Sequence, residues 1–129
     1  MHTPCIFIYM NKTEVLQSTP CASAALAHFG VKGTTWNNRT RKNVWIGTLR
    51  RQGYSVRSRA SKLTAGATVG GSRSRIAQIA AAEPDIIAFI VRVERHVLVL
   101  DRTGATIVDT DERLRDKRKV HGLVAVFAK

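Results

Sequence analysis

The main change of period among the apolar positions of this chain falls at Pro84. Before it they recur mostly at helical spacing, and after it they run on or alternate as they do in strands. Gln17 to Gly30 predicts a short, largely apolar helix. Thr19 serves as its cap, Pro20 suits the first helical position, and Gly30 supplies a left-handed stop. A second helix is predicted from about Trp36 to Gln52, where Val44, Trp45, Thr48 and Leu49 share one face and basic residues fill the rest. Tyr54 to Arg59 alternates as a short exposed strand, and Ala60 to Gly71, rich in Gly, Ala, Ser and Thr, reads as a surface loop. Ser72 is then the expected cap of a third helix, Arg73 to about Ala82, with Ile76, Ile79 and Ala80 on its apolar face.

Beyond Pro84 the pattern is that of a sheet. Ile86 to Val93 is an almost unbroken apolar run, as expected of a strand covered on both faces. A turn at Glu94-Arg95 leads into a hairpin, His96 to Leu100 and Ala105 to Asp109, closed by Asp101-Arg102-Thr103-Gly104. Thr110 to Lys119 is densely charged and reads as a solvated loop or a frayed helical turn, and Gly122 to Ala128 is a last apolar strand. At the N-terminus, Ile6 to Tyr9 fits either a short strand or a packed arm. Helices first and an antiparallel sheet second define an α+β architecture. The 129 residues carry no linker or internal repeat and form a single domain, 1–129.

Charge changes this picture, because 21 Lys and Arg against 9 Asp and Glu give a formal +12. Such a field favours an anionic partner, whether nucleic acid or an acidic protein or peptide substrate. Arg39, Arg41, Lys42, Arg50, Arg51, Arg57, Arg59, Arg73 and Arg75 supply much of it. Only 6% of the residues are aromatic, and no nucleic-acid motif is present. No run approaches the ~18 apolar residues of a membrane span, and Met1 to Met10 lacks a basic leader and a cleavage site, so the expected compartment is the cytoplasm. Cys5 and Cys21 do not make a disulfide framework in that setting. His2, His28, His96 and His121 show no paired metal-ligand spacing with them, so neither a metal nor another cofactor is expected.

Cys21 carries the first candidate chemistry. In the opening turn of a helix, free backbone N–H groups and the positive end of the dipole lower a thiol's pKa. The hairpin carries the second. With a four-residue loop Leu100 pairs with Ala105, and counting outward sets His96 opposite Asp109, with Cβ atoms about 5 Å apart. An imidazole and a carboxylate so placed share a hydrogen bond that fixes the ring's tautomer. His28 lies two turns beyond Cys21, about 10 Å along the axis and too far to activate it. His121 is expected at the surface, and Asp101 is a poorer orienting group than Asp109.

Two stretches, Gln17-(three residues)-Cys21-Ala-Ser-Ala-Ala-Leu-Ala and His96-Val-Leu-Val-Leu-Asp-Arg-Thr-Gly-Ala-Thr-Ile-Val-Asp109, resemble the papain-like cysteine peptidase superfamily. Within it, the small bacterial and bacteriophage members akin to bacteriocin-leader peptidases are nearest in length and layout. The resemblance implies a papain-like fold, with N-terminal helices packed on a C-terminal antiparallel sheet and the nucleophile opening a buried helix. It implies Cys21 as nucleophile, His96 as general base and acid, Asp109 as orienting residue and Gln17 as oxyanion donor. It also implies a thioester route with no metal, and, for a phage-encoded member, the host cytoplasm. The chain departs from the family in having Ala22 where Gly is common, and in placing Gln17 four residues before the cysteine rather than five or six. Ser18, Thr19 or the Cys21 amide therefore stand beside Gln17 as candidate oxyanion donors. The competing expectation is a basic nucleic-acid-binding or inhibitory module with this fold and no catalysis.

Overall fold

A computed structural model describes residues 21–30, 42–94, 96–109 and 116–129. It contains helices α1 (Cys21–His28), α2 (Lys42–Arg51) and α3 (Val69–Ala82), and a 3-10 turn at Ala60–Lys62. The strands are β1 (Ser55–Ser58), β2 (Ile86–Val93), β3 (His96–Leu100), β4 (Thr106–Val108) and β5 (Gly122–Phe127). All five join one antiparallel sheet in the order β1-β5-β2-β3-β4. The last strand in sequence thus lies inside the sheet, between β1 and β2.

The sheet is covered on both faces, which is why β2 is apolar at successive positions. Ala88 and Ile90 of β2, Val99, Val108, Val124 and Val126 pack with Ala24, Ala25 and Leu26 of α1, Phe29 just after it, and Leu49 of α2. Phe89, Val91 and Val93, with Leu98, Leu100, Leu123 and Ala125, pack with Val69, Ile76, Ile79 and Ala80 of α3. Each of these strand side chains leaves water on one face or the other, a gain of about 1.5–3 kcal/mol for each large one. The alternation is interrupted once in β2. The register shifts between Ile86 and Ala88, which leaves Ile87 exposed.

The third helix begins earlier than the sequence pattern suggests. Its cap is Thr68, whose Oγ1 accepts from the Gly71 amide at 3.0 Å, so Val69 to Gly71 form the first turn instead of ending a loop. Ser72 lies on the buried face, where its Oγ has no hydrogen-bond partner among the described residues. Two glycines make this start possible, because a Cβ at Gly70 would lie 2.9 Å from Cβ of Asp116. The segment 116–120 is clamped against this turn. Val69 N donates to Arg118 O (2.8 Å), Gly70 N to Asp116 O (2.9 Å) and Val120 N to Ala67 O (2.8 Å).

At its other end α3 is held by Arg102 in the β3–β4 turn. Its guanidinium donates to the carbonyls of Ala80 (2.8 Å), Pro84 (3.2 Å) and Ile86. Ala80 O also accepts from Glu83 N (3.2 Å), so Arg102 adds a second donor at the helix terminus and ties the turn that follows to the hairpin.

Candidate functional site

The hairpin turn is built around Asp101. Its Oδ1 accepts from Thr103 N (2.7 Å), Thr103 Oγ1 (2.6 Å) and Ala105 N (3.1 Å). These donors, the Thr103 hydroxyl foremost, hold the Asp101 carboxyl below the usual carboxylate range. Gly104 takes φ +85°, a left-handed value that an L side chain resists.

The pairing beyond the turn differs from the expected register. Leu100 pairs with Thr106 and Val99 with Val108, so Ile107 is an extra residue on β4. Continued outward, this register sets Asp109 across from Leu98 and two positions away from His96. The two candidates nevertheless meet. His96 Nε2 and Asp109 Oδ1 are 2.7 Å apart, with side chains only 2% and 1% exposed. Diagonal neighbours on one sheet face lie about 7–8 Å apart, within reach of a long side chain. Contact through the distal nitrogen Nε2 is what that diagonal requires.

Asp109 has a second partner that the sequence pattern hides. Arg118 Nη2 donates to Asp109 Oδ2 at 2.8 Å, with its side chain 13% exposed. Arg118 belongs to the charged run read as a solvated loop; its clamped backbone turns it inward instead. Nothing in that run of alternating charges separates Arg118 from Arg113, Arg115 or Lys117, because the selection is made by the bonds from α3. Asp116, next to it, pairs outward with Arg73 of α3 (Nη2–Oδ1 2.7 Å, Nε–Oδ2 3.2 Å). That bond, ahead of other causes, holds the Asp116 carboxyl below its ordinary range.

The remaining candidates divide. Cys21 is the first described residue of α1, but its side chain lies outside the described residues, as do Gln17, Ser18, Thr19, Pro20 and Cys5. Helix α1 packs on the sheet face that carries Val97 and Val99. His96 pairs with Val93, which faces α3, so its Cβ belongs to the opposite face. It is also the first residue of β3, where the sheet ends. His28 is exposed on α1, His121 is exposed ahead of β5, and Asp101 serves the turn.

Several of the basic residues are engaged in the scaffold. Arg59 binds Glu83 (Nε–Oε2 2.7 Å), Arg73 binds Asp116, Arg50 donates to Val56 O (2.9 Å) and Arg51 to Thr48 Oγ1 (3.1 Å). Arg57 and Arg59 also lie over the Phe127 ring, at 5.6 and 5.5 Å from its centroid. Arg39 and Arg41, and the side chain of Lys42, lie outside the described residues. Among the described residues no group of three or more His, Cys, Asp and Glu is placed to hold a metal ion. None of their helices is long and apolar enough to cross a membrane.

No protein-family model matches the chain, and no curated protein or solved structure matches it.

Proposed function

We propose that the chain is a small papain-like cysteine hydrolase, a peptidase by preference, working through Cys21, His96 and Asp109. The observation that carries this reading is the buried His96–Asp109 hydrogen bond. It holds the ring through Nε2, so chemistry at this histidine runs through Nδ1. Because His96 belongs to the face opposite α1, this reading requires Cys21 to meet the ring around the end of β3, of which His96 is the first residue.

In this mechanism the Cys21 thiolate attacks the substrate carbonyl carbon and the C–N bond breaks. The His96 imidazolium passes its proton to the departing amine, leaving a thioester. His96 then takes a proton from water, which attacks the thioester and releases the acid and the Cys21 thiolate, restoring the thiolate and imidazolium of the first step. Asp109 orients the ring throughout. Gln17, or one of Ser18, Thr19 and the Cys21 amide, donates to the oxyanion. The substrate is a protein or peptide, and the +12 formal charge favours an acidic one. For a phage-encoded chain the site of action is the host cytoplasm. No metal or other cofactor takes part.

Alkylation with iodoacetamide tests this reading. Cys21 is expected to react faster than Cys5 at neutral pH, and His96→Ala is expected to slow Cys21 selectively, because it removes the base that stabilises the thiolate. Equal and slow labelling of both cysteines, indifferent to His96, would sink it. The competing reading is a basic nucleic-acid-binding module, favoured by the guanidinium groups of Arg57 and Arg59 gathered over Phe127. It is distinguished by a salt-dependent mobility shift that persists in Cys21→Ala and disappears when Arg57 is replaced.

A further inference from the structure

We propose that Arg118 is a positioning residue, acting through Asp109 to make the His96 imidazolium a stronger acid. Its use in catalysis rests on the hydrolase reading above. Among the described residues, two donors meet this one buried carboxylate. Oδ1 is held by His96 Nε2 at 2.7 Å and Oδ2 by Arg118 Nη2 at 2.8 Å. With Asp109 only 1% exposed, water screens neither bond.

Two consequences follow from elementary electrostatics. The second bond fixes the carboxylate plane, because a carboxylate held at both oxygens does not turn about its Cβ–Cγ axis. The guanidinium charge also opposes a second positive charge on the far side of the same carboxylate. A carboxylate facing imidazole alone favours the imidazolium; one already neutralised by a guanidinium favours it less. The proton that His96 gains from a thiol is therefore more readily given up to a departing amine, which is what a general acid working near neutral pH requires.

The fold maintains the arrangement from the backbone outward. Arg118 O accepts from Val69 N at 2.8 Å, which fixes the residue at the first turn of α3. Its neighbour Asp116 is drawn away toward Arg73. Asp116 still feels both members of the site, with Arg118 lowering its pKa and Asp109 raising it. The other charged or titratable groups on the adjoining described segments are Arg75 and Glu83 on and after α3, Arg92 and Glu94 at the end of β2, Asp101 and Arg102 in the β3–β4 turn, and Lys117, Lys119 and His121 ahead of β5. Arg92 donates to His121 O at 3.3 Å.

The test is an NMR titration of the His96 ring in the full chain, in the native protein, Arg118→Gln and Arg118→Lys. Gln keeps an N–H for Asp109 and removes the charge; Lys keeps the charge. In Arg118→Gln the ring's titration midpoint is expected to rise by about one pH unit or more, and in Arg118→Lys to stay near the native value. The acidic limb of kcat/KM is expected to move with it. A midpoint unchanged in Arg118→Gln overturns the proposal, since a purely scaffolding arginine would lower the melting temperature and leave the ring alone. Should Arg118→Gln not fold, Arg118→Met takes its place, with the same rise expected and an unchanged midpoint again overturning the proposal. A ring that shifts as expected, in a protein with no Cys21-dependent hydrolysis, upholds the coupling while the hydrolase reading falls.

Discussion

His96 and Asp109 share a buried hydrogen bond of 2.7 Å without being opposite one another in the hairpin. The extra residue Ile107 shifts β4, and the imidazole crosses the resulting diagonal with its distal nitrogen. Asp109 is thereby left with its second oxygen facing Arg118, so one carboxylate joins the hairpin to the segment ahead of β5.

Asp109→Asn separates the roles of that carboxylate. The change keeps the shape but removes the carboxylate charge that the largely buried Arg118 guanidinium binds. Losing one partner of such a pair costs about 3–5 kcal/mol. Under the proposed mechanism the ring also loses its fixed tautomer, so kcat/KM is expected to fall about 100-fold or more. Thermal denaturation and steady-state kinetics on the same sample read the two effects. Unaltered kinetics in a protein that is still folded would remove Asp109 from the mechanism.

The two candidate caps of α3 have opposite expectations. Thr68→Ala removes the acceptor of the Gly71 amide and is expected to cost about 1 kcal/mol. Ser72→Ala removes a buried hydroxyl whose Oγ has no partner among the described residues, and is expected to be neutral or to stabilise by up to about 1 kcal/mol. Urea denaturation of both variants checks the order; a larger loss for Ser72→Ala would place the cap there instead.

Gly104→Ala is expected to destabilise strongly, for two independent reasons. Its φ of +85° disfavours any L side chain, and the new Cβ would lie 2.5 Å from the Arg73 carbonyl oxygen, a backbone atom that cannot swing aside. The conformational part alone costs about 1–2 kcal/mol, and the clash adds to it. Gly66→Ala is the control: its φ is also positive, at +76°, but nothing lies within 4 Å of a Cβ there. Melting temperatures of the two variants should differ accordingly.

Acid should weaken the fold through a small set of carboxylates. The pKa values of Asp101, Asp116 and Glu83 are lowered in the folded protein, by bonds from Thr103, Arg73 and Arg59 respectively. Their contribution is fully present above the unfolded carboxylate range of about 4 and is lost as pH falls through the lower folded values. Stability is therefore expected to be flat just above that range and to decline below it. Asp101→Asn should flatten part of the decline. Denaturant midpoints measured from pH 6 down to pH 2 check the slope, and an unchanged slope in Asp101→Asn would exclude this carboxylate as a source.

Local pattern determined a good deal of this protein. The change of period at Pro84 separates the three helices from β2 to β5, and the unbroken run of β2 announces a strand covered on both faces. Gly30 and Gly104 mark their turns through positive φ. His96 and Asp109 are legible as a pair because a hairpin brings nearby residues together over a short loop. What local pattern does not carry is the outcome of competition between distant segments. The extra residue in β4 is set by how Asp101 and Gly104 build the turn against α3, so the pairing moved although the pair survived. Thr68 displaced Ser72 as the cap because the strand-like bridge from Thr68 to Lys119 holds the earlier turn in place. The insertion of β5 between β1 and β2, and the choice of Arg118 from a run of similar charges, depend on backbone bonds between residues far apart in the chain. Sequence fixes which groups are available to bond; only the folded chain decides which carboxylate each of its many cations will meet.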